Sequence, residues 1–149
     1  MSGRARHFTS FVLHPSIIEH LGLAKGLKSL CDEYQRSGIA LVTFEAVDDD
    51  GSHVPLEVTT VFYRICQEAL RNIQKHAGDV PVWVELRVKG TELWLRIQDE
   101  GPGFTPDGIN AAEHLGLISM RERAAAIGAV CKCISQPTRG TANEVVLIR

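Results

Sequence analysis

Four short stretches carry the side chains capable of chemistry. In RICQEALRNIQKHAGD (64–79), Glu68, Asn72, Lys75 and His76 fall along one line of a helix turning 100° per residue. Residues four apart stack one turn above the other, so Glu68 lies over Asn72. In DEGPGF (99–104), Asp99 closes an alternating strand pattern, and Gly101 and Gly103 follow it. A carboxylate fixed at a strand end can accept a hydrogen bond from an exocyclic amine. Glycines one residue apart let the backbone approach a ligand closely. HLGLISMRERA (114–124) and RGTANEVV (139–146) each place a glycine ahead of a regular element. A helix N-terminus behind a glycine presents unpaired N–H groups to phosphate. Taken singly, each has a plainer reading: Glu68 and Asn72 as a hydrogen-bonded boundary pair, Gly-X-Gly as an ordinary turn.

These side chains need elements to position them. LHPSIIEHLGLAKGLKSLCDEYQRSG (13–38) predicts a helical region, with Pro15 suited to a first turn and Gly38 to a C-cap. IALVTFEAV (39–47) alternates like a strand, and DDDG (48–51) reads as a solvated turn. PLEVTTVFYRICQEALRNIQKHAG (55–78) predicts a long helix between Pro55 and Gly78. Its arc of Val58, Phe62, Ile65, Cys66, Ala69 and Ile73 faces the sheet, and Arg64, Gln67, Arg71 and Gln74 lie on the solvated side. Glu68 and Asn72 sit on the shoulder between.

Residues 80–101 give the clearest hairpin signal, VWVELRV and LWLRIQD around Lys89-Gly90. Trp83 and Trp94 are expected as core or face-packing residues within it. LISMRERAAAIGA (117–129) predicts a helix stopped by Gly128, with AAAIGA in the core. Strands VCKCISQ (130–136) and NEVVLIR (143–149) flank the turn PTRGTA (137–142). The order α-β-α-β-β-loop-α-β-β predicts an α/β fold: a two-layer sandwich, a mixed sheet of about five strands with helices on one face.

Composition sets outer bounds. With 149 residues, 44% apolar and 23% charged, the chain can bury one substantial core. A formal net charge of −2 removes any bulk attraction to nucleic acid or anionic membrane. No apolar run is long enough to span a bilayer. Cys31, Cys66, Cys131 and Cys133 read as reduced, structural thiols rather than a metal site. His7, His14, His20, His53 and His114 have no partner pattern.

The four motifs in this order resemble the ATP-binding domain of sensor histidine kinases, in the wider GHKL (Bergerat-fold) group that also holds gyrase, the heat-shock chaperone ATPase and the mismatch-repair ATPase. EALRNIQKHA matches the N box, DEGPGF the first glycine box, HLGLISMRERA the second, and RGTANEVVLI the terminal Gly-Thr. MRERA and KHA point to the NarX- and DesK-like branch. The resemblance implies ATP and Mg²⁺ as ligands. It gives Asn72 the metal, through its side-chain oxygen, and Glu68 a catalytic role, orienting a metal-bound water or assisting transfer. Lys75 and His76 would offset phosphate charge, and Asp99 would accept from the adenine amine. Gly101, Gly103 and Phe104 would border the base and the lid. Gly116 and Leu117 would meet phosphate at the lid-helix N-terminus. Thr141 would support the pocket beside Asp99, through a shared water.

The resemblance also implies partners: a histidine-bearing dimerisation domain, homodimeric in the full-length protein, and a cognate response regulator. A cytoplasmic location follows, with a parent that can be membrane-anchored, and neither nucleic acid nor direct membrane contact is implied. Residues 1–14 are expected to be a remnant, the end of a dimerisation helix or disordered, and 15–149 the catalytic domain. No upstream helix carries a suitable acceptor histidine, and His14 precedes Pro15 rather than an acid. The lid from Phe104 to Leu115 is short. Two alternatives fit the same motifs: a stand-alone serine kinase of the anti-sigma-factor type, and a nucleotide-binding module that transfers nothing.

Overall fold

The structure is a computed structural model, describing residues 15–38, 41–47, 53–77, 79–101, 111–136 and 139–148. Among the described residues, three helices and five strands follow the predicted order: α1 Pro15–Arg36, β1 Leu41–Val47, α2 Leu56–His76, β2 Pro81–Lys89, β3 Glu92–Asp99, α3 Ala111–Ala126, β4 Val130–Gln136 and β5 Gly140–Ile148. The sheet runs β1-β2-β3-β5-β4. β1 and β2 are parallel and every other pairing is antiparallel. The expected mixed sheet of five strands is therefore present.

Alternation decides which face is covered. Val82, Val84, Leu86 and Val88 of β2 and Leu93, Leu95 and Ile97 of β3 are buried beneath the helices. Each such side chain contributes about 1.5–3 kcal/mol relative to exposure. The opposite face stays open. Trp83 is 41% exposed there, and the Arg87 guanidinium lies 4.8 Å from the centroid of the Trp94 ring. Trp83 is thus a surface residue rather than core.

Helix α2 buries more than the predicted arc. Thr59, Tyr63 and Leu70 are buried in addition, because α1 packs against both α2 and β1 and brings Leu23, Leu27, Leu30 and Tyr34 into the same core. The side expected to be solvated is accordingly half covered at Arg64, Gln67 and Gln74, and the Tyr34 hydroxyl approaches the Gln67 carbonyl at 3.5 Å. Pro55 caps the helix at φ −57° and ψ 148°, and its carbonyl accepts from Thr59 N–H at 2.9 Å. The other predicted cap, Gly78, lies outside the described residues. Cys31 and Cys66 meet in the core between these helices as free thiols. The hydrogen bond with Cys31, and burial, raise the Cys66 thiol well above its ordinary range.

Several readings of the sequence differ from the structure, among them the start of β5, which lies at Gly140 rather than Asn143. Helix α1 breaks at Gly22, at φ 80° and ψ 172°, a region that only glycine enters cheaply. The hairpin turn is Gly90-Thr91, since Lys89 pairs with Glu92; Gly90 takes φ 59°. Helix α3 begins at Ala111, not Leu117, because Ala111, Ala112 and Glu113 are good helix formers and Gly116 is tolerated within the helix. The AAAIGA segment is core only at Ala124: Ala125 and Ala126 are exposed. Helix α3 does end as expected at Gly128 (φ 78°). Ala129 N–H reaches Ala124 O at 2.8 Å and Gly128 N–H reaches Ala125 O at 3.0 Å, the paired bonds of a Schellman cap.

Candidate functional site

The cleft lies between α2 and the inner face of the β3-β5-β4 end of the sheet. Helix α2 supplies Ala69, Asn72, Ile73, His76 and Ala77; β3 supplies Asp99; α3 supplies Leu117; β4 and β5 supply Cys133, Thr141 and Asn143. Asn72, His76, Asp99, Leu117 and Thr141, picked from distant parts of the sequence, are brought together here.

Asp99 is the most constrained of them, at 3% exposure. Its Oδ1 accepts the Gly101 N–H at 2.7 Å. Burial raises its pKa above the usual 3.8, while the N–H groups of Gly101 and Thr141 and the nearby His76 oppose that rise. A carboxylate so held is an oriented acceptor that leaves lone pairs for a ligand. The flanking glycines are required by space. A Cβ at Gly101 would stand 2.5 Å from the Ala77 Cβ. A Cβ at Gly140, where φ is 80°, would stand 2.1 Å from the Asp99 carbonyl oxygen. Thr141 meets Asp99 through its backbone N–H, and its hydroxyl pairs with Ser135 Oγ at 2.8 Å.

Glu68 and Asn72 lie one turn apart as expected. Glu68 is engaged by Arg71, Nη2 to Oε1 at 3.3 Å. Gly116 sits opposite them: a Cβ there would be 2.7 Å from Glu68 Oε2 and 3.7 Å from Asn72 Nδ2. Gly116 is therefore not at the helix N-terminus expected for it. It lies in the second turn of α3 rather than at its N-terminus, and its missing side chain lets the helix cross close to Glu68. Leu117 lines the cleft from within the same helix. Lys75 is exposed and does not line the cleft. Arg121 and Arg123 are exposed on α3. Gly103 and Phe104 lie outside the described residues.

No group of three or more His, Cys, Asp or Glu among the described residues forms a metal cluster. The oxygen donor that lines the cleft on α2 is instead the Asn72 amide, with the Glu68 carboxylate a turn away. Mg²⁺ accepts that arrangement, since it takes few protein ligands and fills its octahedron with water and phosphate oxygens.

Two cleft residues were missed from sequence, Cys133 and Asn143. Once β5 is extended back to Gly140, alternation places Asn143 on the same face as Thr141, and cross-strand pairing places Cys133 of β4 beside it. Burial pushes the Cys133 thiol up to about 11, so it lines the wall as a neutral thiol.

The architecture is that of a histidine-kinase catalytic domain. The histidine kinase domain of the Erythrobacter litoralis EL346 blue-light activated kinase superposes with a TM-score of 0.68, covering 85% of this chain and 61% of that one at 20% identity. The catalytic domain of histidine kinase ThkA superposes with a TM-score of 0.63, covering 85% and 89% at 13% identity. At these identities the likeness is one of fold.

The chain belongs to the histidine kinase-, DNA gyrase B- and HSP90-like ATPase family, which matches residues 57–148. It is 35% identical over 148 residues to sensor histidine kinase LiaS of Bacillus subtilis, and 38% identical over 133 residues to sensor protein VraS of Staphylococcus aureus. These alignments cover 97% and 89% of this chain but 40% and 37% of the relatives. The chain thus corresponds to the ATP-binding catalytic domain of such kinases. No described helix is long and apolar enough to cross a membrane.

Proposed function

We propose that this chain binds ATP with Mg²⁺ and, within a longer sensor kinase, transfers the γ-phosphoryl group to a histidine on a dimerisation domain. A response regulator would then accept the phosphoryl group. The observation that carries the reading is the buried Asp99 carboxylate, held by Gly101 and facing the cleft opposite Asn72. An acceptor at that point suits the amine of adenine and repels the carbonyl oxygen of guanine.

Asn72 would hold the ion through its amide oxygen, and the ion would neutralise phosphate charge. His76 would lie beside the phosphates. Glu68, released from Arg71, would accept a hydrogen bond from the attacking group. Transfer breaks the bond from the γ-phosphorus to its bridging oxygen and forms one to the histidine nitrogen. The residues act mainly by positioning and electrostatics. The NarX- and DesK-like assignment rests on MRERA and KHA.

Calorimetry with ATP and GTP tests the site. Incubating the chain with radiolabelled ATP and a separate dimerisation domain bearing an acceptor histidine tests the reaction. Acid-labile label on that domain, with none on the chain alone, is expected. Acid-stable label on a serine-bearing protein would favour the serine-kinase alternative, and binding without transfer would favour a nucleotide-responsive module.

A further inference from the structure

Asn143 stands one inward row deeper than the Asp99–Thr141 pair. It pairs across the sheet with Ile97 of β3 on one side and Cys133 of β4 on the other. Ile97 is wholly buried, and Asn143 is 3% exposed. Deeper along the same face of β3 and β5 stand Leu93, Leu95, Val145 and Leu147, so an apolar residue would satisfy the sheet there. Yet Asn143 lines the cleft, and its Oδ1 is buried without a hydrogen-bond partner among the described residues. Buried polar atoms in folded proteins are nearly always paired, and an orphan calls for an explanation. Its neighbour Cys133 does not supply one: that thiol is protonated, but no bond joins it to Oδ1.

The ligand chemistry supplies a partner. A 6-aminopurine carries two protons on its exocyclic nitrogen. Asp99 can accept only one of them in the plane of the ring. The second points away from it and needs another acceptor. We propose that Asn143 is that acceptor, a specificity-determining residue that reads the second amine proton of the purine. The site then presents two acceptors on neighbouring strands to one amine. A 6-oxopurine meets a lone pair with a lone pair at both. The inference rests on the adenine reading of Asp99 and goes beyond it by assigning a further residue to the base.

The test uses Asn143→Leu and three nucleotides: ATP, N6-methyl-ATP and GTP, measured by calorimetry beside thermal unfolding. Leucine keeps the volume and removes the orphan oxygen. The variant is expected to unfold at a temperature no lower than the parent, because removing an unpaired buried acceptor is neutral or stabilising. Its ATP affinity is expected to fall about tenfold, the value of one hydrogen bond. N6-methyl-ATP, which has one amine proton left, is expected to bind the variant and the parent alike. ATP binding unchanged in the variant would overturn the proposal. So would an equal loss for ATP and N6-methyl-ATP, which would mark Asn143 as a packing residue. The parent gives an independent reading: equal affinity for ATP and N6-methyl-ATP there also overturns it. If the parent selects ATP over GTP while either negative result holds, only the role of Asn143 fails. If the parent binds neither, the adenine reading of Asp99 fails with it.

Discussion

The backbone N–H of Gly101 donates to Asp99 Oδ1 at 2.7 Å, so the carboxylate that ends β3 is fixed by the residue two positions beyond it. The chain turns back on its own side chain, and the space for that turn exists because Gly101 has no Cβ to meet Ala77. The two residues make one device: the loop that borders the cleft also aims the acceptor inside it.

Asp99→Asn is the first consequence. It keeps the size and one acceptor oxygen but removes the charge. ATP affinity is expected to fall by about 2–3 kcal/mol, the range for a charge-assisted hydrogen bond, with an unchanged circular dichroism spectrum. Calorimetry measures it, and a variant that binds as tightly as the parent would remove Asp99 from the base site.

Asp99 also predicts a pH dependence. Burial raises its folded pKa above 3.8, so between 3.8 and that raised value the folded state binds more protons than the unfolded state. Its favourable contribution is complete below 3.8 and is lost as pH rises through the folded value. In urea titrations the parent should therefore lose stability relative to Asp99→Asn across that interval, then run parallel to it. Adenosine binding should move oppositely, failing on acidification through the same raised value. A constant difference between the two proteins from pH 3 to 7 would contradict this.

Much of this was readable in the chain because each signal was local. Period-two alternation in β2 and β3 and the helical arc of α2 fixed element type and inward faces, and hence the Asp99 and Asn72 walls. The start of α3 is not legible because Gly116 resembles a boundary by residue type yet lies inside the helix. Its neighbours' helix propensity and the space it leaves for Glu68 are decided by packing. The burial of Tyr63 and Leu70 depends on where α1 docks, which no local period encodes. The meaning of Asn143 is not local: an amide on a strand is ordinary until its oxygen is buried with no partner among the described residues.

Gly101 and Gly116 make a contrasting pair. A Cβ at Gly101 meets Ala77 at 2.5 Å for its Cβ and 3.3 Å for its Cα. That neighbour is anchored to α2 and cannot rotate away. Gly101→Ala should destabilise by about 1–3 kcal/mol, the usual cost of overpacking. A Cβ at Gly116 crowds the Glu68 carboxylate, the far end of a flexible side chain, and meets Asn72 Nδ2 at an ordinary 3.7 Å. Gly116→Ala should therefore keep the fold and gain up to about 1 kcal/mol from helix propensity. Urea midpoints that rank the two variants the other way would refute the packing account.

Asn72 and the ion give the last prediction. The side chain lines the cleft on α2, a turn below Glu68, and its assigned task is to hold Mg²⁺ rather than to touch the base. Adenosine has no phosphates and shares no ligand with the ion. Asn72→Ala should leave adenosine binding within about twofold, since hydrogen bonds at Asp99 are untouched. It should weaken ATP binding in Mg²⁺ by about tenfold or more, a loss of roughly 1.4 kcal/mol. With a chelator in place of Mg²⁺, parent and variant should bind ATP alike. That third arm separates a metal ligand from a structural residue. A residue that merely braced α2 would lower all three affinities together, with a fall in the unfolding temperature, and that pattern would take the ion away from Asn72.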